Sequence, residues 1–121
     1  MKPRNNPESP PGKPKEISVK REFLEMIKCG RKTLEVRIAY PDLDDISVND
    51  HIRFKSGEDG AIVKIIAIRR HKSISEVINK ENTSKIAPQV PQAYLRELAR
   101  ELFSESRIKT HGLLVIEFEK L

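Results

Sequence analysis

The amino-acid sequence predicts an α+β domain, a small mixed β-barrel of about five or six strands with two or three helices packed on it. Segments whose apolar residues alternate with a period of two lie on both sides of every segment with a helical period. The chain contains no Trp and only 5% aromatic residues, so its core should be aliphatic. No period of about 20 to 50 residues repeats, which argues against a repeat array.

The chain divides into a tail, residues 1–15, and a single domain, residues 16–121. The tail holds five of the eight prolines and almost no apolar residue, so it cannot offset the entropy of ordering and should be disordered. It also carries +3 of the formal net charge of +5, because four cations face one glutamate there. Overall charge therefore supports nucleic-acid binding only weakly, since a basic soluble surface explains it equally well.

Composition and cysteine content favour a soluble protein of a reducing compartment. The chain is 37% apolar and 34% charged, and no apolar run approaches the length of a membrane span. The single Cys29 cannot form an intramolecular disulfide, and the N-terminus lacks the apolar stretch of a secretory signal. These features predict a cytoplasmic protein without membrane contact. Cys29 itself is expected to be a small buried hydrophobe beside Met26.

The first elements are predicted from caps and alternation. A short strand should begin at Glu16 and a helix at about Arg21, and Gly30 should end that helix as a left-handed cap. Residues 33–38 alternate as a half-buried strand whose apolar face consists of Leu34, Val36 and Ile38.

The second half predicts a hairpin, further helices and a closing strand. After a turn at 48–50, a strand near 51–55 should pair with the strand 61–68, whose nearly continuous β-branched residues predict cover on both sides. A capping box opens a helix at 73–80. A longer helix near Pro91 carries an apolar stripe, and the last strand spans 113–119.

Several kinds of functional site have no sequence support. The three histidines are scattered, Cys29 has no partner at metal-ligand spacing, and no Gly-rich phosphate-binding loop is present. We therefore predict no metal and no cofactor.

The stretch from Gly30 to Arg37 is the strongest candidate for a binding or catalytic site. It places the ammonium of Lys32, the carboxylate of Glu35 and the guanidinium of Arg37 within six residues. Arg37 could fork onto a phosphate or a base edge, and Lys32 could act as a point charge or, when desolvated, as a base. Glu35 could hold Lys32 in place or shuttle a proton. The same spacing also fits an exposed strand face with a cross-strand ion pair.

A compact basic cluster follows the apolar strand of the hairpin. It runs from Arg69 to Lys72, and Lys55 and Lys64 extend the same basic surface. These side chains could contact phosphates beside the candidate site. The cluster fits equally well with the solvent-exposed end of a strand that has no binding role.

The pattern Gly30-x-Lys32-x-x-Glu35-x-Arg37 resembles the signature of the ASCH family, whose domains have a barrel fold related to the RNA-binding PUA domain. The strand and helix before it, the turn at 48–50 and the closing strand extend the resemblance over nearly all of residues 16–121. Asn49 stands where that family usually has Gly, and Asn also tolerates a left-handed backbone.

This resemblance implies a cleft between barrel and helices that binds RNA or a nucleoside or nucleotide. The oligomeric state stays open. The expected ligand-binding residues are Arg31, Lys32, Thr33, Glu35, Arg37, Lys55, Arg69, Arg70 and His71.

Catalysis is the alternative to simple binding. One branch of ASCH proteins removes the acetyl group of N4-acetylcytidine with a lysine, a threonine and a glutamate. Lys32 matches the lysine and Glu81 is a candidate for the glutamate, but Glu35 occupies the position of the threonine. Such an amidohydrolase would need water activated by Glu35 or Glu81, with Lys32 at the oxyanion.

Two further functions remain open from the sequence. In a metal-independent ribonuclease, Lys32 or Glu35 would take the 2′-hydroxyl proton while Arg37 steadies the phosphorane. In a protein-interaction domain, the basic tail would supply the contact.

Overall fold

The structure is a computed structural model that describes residues 14–121. The disorder expected for the tail therefore concerns residues that lie almost wholly outside the described part of the chain. Lys15, the last residue assigned to the tail, belongs to the first strand.

The described residues form five strands and four α-helices, which confirms the α+β class and the expected number of strands. The strands are β1 Lys15–Ser18, β2 Leu34–Ile38, β3 His51–Ser56, β4 Asp59–His71 and β5 Leu113–Lys120. The helices are α1 Arg21–Lys28, α2 Ile74–Lys80, α3 Leu95–Leu102 and α4 Glu105–His111.

The strands form one curled mixed sheet in the order β1-β3-β4-β5-β2. β1 runs parallel to β3, and the other neighbouring pairs are antiparallel. β1 and β2 are the two edges, so the predicted barrel is a half-barrel with an open side between them. The Arg37 side chain reaches across that opening, where its Nη1 donates to the Ser18 carbonyl at 3.2 Å.

Two or three helices were expected, and α4 is the helix that the sequence did not predict. Ser104 begins it by accepting a hydrogen bond from the Arg107 amide. Its only buried residue is Ile108, so the segment has no apolar stripe from which a helix could be predicted. The stripe predicted near Pro91 belongs to a 3-10 turn, Gln92–Tyr94, followed by α3.

Two apolar clusters lie on opposite faces of the sheet. On one face, α1 packs Leu24 and Ile27 against a cluster to which Ile52, Phe54, Val63, Ile65, Ile116 and Phe118 contribute. On the other face, α2 and α4 pack Val77 and Ile108 over a cluster from β2 and β5, formed by Leu34, Ile38, Leu113 and Val115. β5 is therefore covered on both sides, whereas β2 contributes apolar side chains to the second cluster only.

The expectation that the apolar strand of the hairpin is covered on both sides is wrong for the middle of β4. Val63 and Ile65 are fully buried, whereas Ile62 and Ile66 are 41% and 40% exposed. The second helical layer covers β2, β5 and only the end of β4, so the outward side chains of the β3–β4 hairpin face solvent.

Backbone conformation at the glycine caps gives a test of the fold. Gly30 and Gly112 have φ values of +83° and +80°, and a Cβ on Gly112 would lie 3.2 Å from the His71 carbonyl oxygen. We expect Gly30→Ala to lower the free energy of unfolding by about 1 kcal/mol and Gly112→Ala by more. Gly30→Asn should cost less, because Asn tolerates this conformation. Urea unfolding measures all three, and unchanged midpoints for the alanine variants would contradict the assignment.

Candidate ligand-binding cleft

The helix cap at Gly30 sets the position of the candidate site. Gly30 has a left-handed backbone, as predicted, and the amides of Arg31 and Lys32 both donate to the Met26 carbonyl at 3.0 Å. This tight reversal brings Lys32 directly beside the start of β2. The side chain of Lys32 then points inward rather than to solvent, with 2% of its surface exposed.

The Lys32 ammonium is hydrogen-bonded to two carbonyls and forms an ion pair with one carboxylate. Nζ donates to the Leu34 carbonyl at 2.6 Å and to the Ile86 carbonyl at 2.7 Å, and it lies 3.0 Å from Oε1 of Glu35. The Phe23 ring covers it, with its centroid 5.4 Å from Nζ. A buried charge is tolerated only when it is paired and hydrogen-bonded, and Lys32 meets both conditions.

Glu35 also fixes the position of the Arg37 side chain. Its Oε2 accepts a hydrogen bond from Nη1 of Arg37 at 3.2 Å, and the same nitrogen donates to the Ser18 carbonyl. The guanidinium is therefore held at Nη1, while Nε and Nη2 have no partner among the described residues. The Arg37 side chain is 37% exposed, so these two donors can reach a ligand.

The alternation predicted for this strand is confirmed, although β2 begins at Leu34 rather than Thr33. Its charged face is not a solvent face. Glu35 lies opposite Ile116 and Arg37 opposite Leu114 in the register with β5, so both side chains share the face of the main core. The open side of the half-barrel leaves room for them there.

A cleft of about 730 Å³ lies beside β2. Lys32, Glu35 and Arg37 line it at the β2 edge, together with Lys20 and residues of β1. Most of its other wall residues are apolar and come from α2, α3 and their surroundings, including Ile78, Leu98, Leu102 and Phe103, although Asp42 and Thr83 also line it. The arrangement can therefore hold a molecule with an anionic end and a flat or apolar body.

Sequence reasoning missed the apolar walls. The stripe of α3 was expected to pack in the core, but Leu102 is 40% exposed and lines the cleft with Leu98 and Phe103. Phe23 and Tyr40 also line the cleft. Helical periodicity identifies an apolar face but does not distinguish a face that packs on a sheet from one that borders a groove.

Three other residues predicted to bind a ligand, Arg31, Thr33 and Lys55, have different surroundings. Arg31 is exposed, and neither Arg31 nor Thr33 lines the cleft. The Thr33 main chain is instead structural, since its amide donates to Lys85 and its carbonyl accepts from Phe118. Lys55 pairs with Glu16 at 2.9 Å, and this contact lowers the pKa of the Glu16 carboxyl.

The basic cluster of β4 and Glu81 bind one another outside the cleft. Arg69 donates from Nε and Nη2 to the two oxygens of Glu81 at 2.8 Å each, and from Nη1 to Glu117 at 2.8 Å. Nε2 of His71 lies 2.7 Å from Glu81, and the exposed Arg70 lies 3.5 Å from Asp44. The structure thus brings Lys32, Glu35 and Arg37 together and places Glu81 with Arg69 and His71.

The bidentate contact changes the acid–base properties of this second cluster. The Arg69 guanidinium lowers the pKa of the Glu81 carboxyl, with His71 contributing a smaller effect in the same direction. Glu81 in turn raises the pKa of Arg69. The cluster joins β4 to the end of α2 and to β5, and it offers little uncompensated charge to a phosphate.

Neither a metal-binding group of side chains nor a membrane-crossing helix is found within residues 14–121. No group of three or more His, Cys, Asp and Glu side chains in this range is arranged to hold a metal ion. Every helix of the described chain is too short or too polar to cross a lipid bilayer.

Cys29 is exposed, so the expectation that it is a buried hydrophobe is wrong. The helix ends at Lys28, and the apolar stripe ends with it.

A scan against protein-family models matches the ASCH domain over residues 17–121. The chain belongs to the ASCH domain family. The match covers every element described above except the first residues of β1, and it confirms the resemblance carried by Gly30, Lys32, Glu35 and Arg37. ASCH domains are connected with nucleic-acid interaction in general.

Solved structures with the same architecture include two at 30% sequence identity. The crystal structure of hypothetical protein PH0355 has a TM-score of 0.78 and covers 88% of this ASCH chain and 97% of its own. The solution structure of protein PF0455 from Pyrococcus furiosus has a TM-score of 0.71 and covers 88% and 96%. These likenesses confirm the PUA-like fold. No curated protein sequence matches the chain significantly.

A more distant ASCH structure shares the fold alone. A point mutant of ZmASCH from Zymomonas mobilis is 18% identical, has a TM-score of 0.57, and covers 87% of this chain and 68% of its own.

The buried position of Lys32 predicts a large effect on stability. We expect Lys32→Met to lower the free energy of unfolding by about 3 kcal/mol or more, because it strands the Glu35 carboxylate and two carbonyls. Adding Glu35→Gln should recover part of that loss, whereas Arg31→Ala should have almost no effect. Urea unfolding compares the variants, and equal losses for Lys32→Met and Arg31→Ala would contradict the burial.

The lowered pKa of Glu81 predicts an acid-sensitive contribution to stability. Because the folded pKa lies below the ordinary value of 4.5, the contribution is present above that pH and is lost as the pH falls through the folded pKa. Glu81→Gln should therefore lower stability at neutral pH and flatten its decline at acid pH. Urea unfolding at several pH values tests this, with the exposed Glu101→Gln as control. Parallel pH curves for wild type and Glu81→Gln would contradict it.

Proposed function

We propose that the cleft beside β2 binds RNA or a nucleotide-like ligand, with Arg37 as the residue that contacts phosphate. The observation that carries this proposal is the arrangement of the guanidinium. Nη1 is fixed by Glu35 and Ser18, while Nε and Nη2 are uncommitted within the described chain, and the Arg37 side chain lines the cleft. A fixed guanidinium with two free donors suits an oxyanion, since two parallel N–H groups can bind a pair of phosphate oxygens.

The three signature residues have different roles in this proposal. Lys32 has used all its protons on protein acceptors, so it supports the site rather than gripping the ligand. Glu35 links Lys32 to Arg37 and fixes the direction of the guanidinium. Lys20, an exposed lysine at the cleft, adds a second cation beside Arg37 and extends the phosphate-binding surface.

Hydrolysis fits this geometry less well than binding. Both oxygens of Glu35 are engaged by cations, and Glu81 is bound to Arg69 and His71 outside the cleft lining. Thr83 supplies a hydroxyl at the cleft, but Oγ1 donates to Gln92 at 2.7 Å. A water or hydroxyl nucleophile would need a carboxylate or amine with a free acceptor, and Lys32 offers none. The hydrolase stays a hypothesis from family resemblance.

Binding of a labelled single-stranded RNA tests the proposal. We expect Arg37→Ala to weaken binding at least about tenfold, because it removes hydrogen bonds to a charged group. Arg37→Lys should recover only part of the affinity, since an ammonium lacks the planar fork. Fluorescence anisotropy at several salt concentrations should also show a shallower salt dependence for Arg37→Ala.

The control is Arg31→Ala, which removes an exposed cation of the same signature that does not line the cleft. Its affinity should stay within about twofold of wild type, as expected for a residue without ligand contact. Equal affinities of Arg37→Ala and Arg31→Ala would sink the proposal.

A further inference from the structure

The main chain of β2 has one edge that no strand of the described residues covers. In the antiparallel pair with β5, the Phe118 amide donates to the Thr33 carbonyl and the Ala39 amide donates to the Gly112 carbonyl. Hydrogen-bonded and non-hydrogen-bonded pairs alternate along such a ladder. The odd-numbered residues of β2 therefore point their main-chain groups at β5, and the even-numbered residues point theirs at the free edge.

At both ends of that free edge, main-chain groups of β2 already have hydrogen-bond partners. At the start, the Leu34 carbonyl accepts from Lys32, and the neighbouring segment around Lys85 and Ile86 closes over the strand. At the end, the Ile38 carbonyl accepts from the Tyr40 amide at 2.7 Å. In the middle lies Val36, whose N–H and C=O have no partner among the described residues.

The surroundings of Val36 are those of a binding site. Val36 lines the cleft, as do the apolar side chains of Ile78, Leu98 and Phe103. Arg37, the next residue, also lines the cleft, and its Nε and Nη2 have no partner among the described residues. A ligand that satisfied the Val36 main chain would thus find apolar walls around it and a cation within one residue.

We propose that the main chain of Val36 reads the hydrogen-bonding edge of one unpaired nucleobase, a step that rests on the proposed binding of RNA or a nucleotide. Every nucleobase carries a donor and an acceptor side by side on its Watson–Crick edge, which one N–H and C=O pair can satisfy together. The apolar walls would cover the faces of the ring. The attached phosphate would lie at Arg37. This pairing accepts all four bases, so it selects unpaired nucleotides rather than a sequence.

An extended peptide is the other molecule that a free strand edge can take, by adding a strand to the sheet. Strand addition needs a row of free main-chain pairs, and β2 offers one complete pair. The Arg37 side chain also crosses from β2 to Ser18 of β1 and blocks the gap in which a sixth strand would lie. The geometry therefore favours a single planar ring over a strand.

Oligonucleotides with and without bases test this inference. Wild type should bind a labelled single-stranded RNA about fivefold or more tightly than an abasic strand of the same length, the effect of one or two hydrogen bonds with ring burial. Val36→Pro removes the N–H at a solvent-facing edge position, where proline is tolerated. It should lower the affinity for the base-bearing strand to that for the abasic strand, whereas Val36→Thr keeps the N–H and should keep the preference.

A measurement on wild type covers the case in which Val36→Pro does not fold. The amide resonance of Val36 in a nitrogen–proton correlation spectrum should move much further with a nucleoside 5′-monophosphate than with ribose 5-phosphate, which has the phosphate but no base. Equal movement with both ligands would overturn the inference, as would equal affinity of wild type for base-bearing and abasic strands. Movement of the Val36 amide with an extended peptide but not with the nucleotide would also overturn it.

The two proposals fail in different ways. If base-bearing and abasic strands bind equally well and Arg37→Ala weakens both, phosphate binding stands and base reading by Val36 is wrong. If wild type binds neither strand, the proposed function itself is wrong, and base reading falls with it.

Discussion

The buried ammonium of Lys32 is the interaction on which the candidate site depends. Its three acceptors come from the β2 main chain, from the Glu35 side chain and from Ile86, which lies 54 positions further along the sequence. One side chain thus joins the end of the α1 cap, the edge strand and the segment that closes over it. A solvated lysine in the same place would leave each of these parts free to move relative to the others.

Glu35 determines how that buried charge affects the ligand site. The Glu35 carboxylate lies between two cations: it pairs with Lys32, which two carbonyls also bind, and it contacts Arg37 at one nitrogen only, so the excess positive charge lies at the cleft. Fixing a guanidinium before the ligand arrives reduces the entropy lost on binding. Glu35 therefore has a clear physical role, which is to hold Lys32 and Arg37 in fixed positions.

Local features of the site could be predicted from the sequence, but long-range partners could not. The Gly30 cap, the alternation of β2 and the left-handed Asn49, with φ of +79°, all follow from neighbouring residues. The burial of Lys32 depends on a carbonyl far along the chain, and the pairing of Arg69 with Glu81 and Glu117 depends on how β4, α2 and β5 meet. Charge patterns show which residues can pair, and only the fold selects which ones do.

The free edge of β2 is protected from pairing with another strand. Exposed strand edges invite association with other chains, and proteins usually cover or block them. Here the segment around Ile86 covers one end, Tyr40 occupies the other, and the Arg37 side chain blocks the approach from β1. Among the described residues, the main chain of Val36 stays without a partner, and Val36 lines the cleft. The groups that protect the edge from strand pairing therefore leave one main-chain pair for the ligand that we propose.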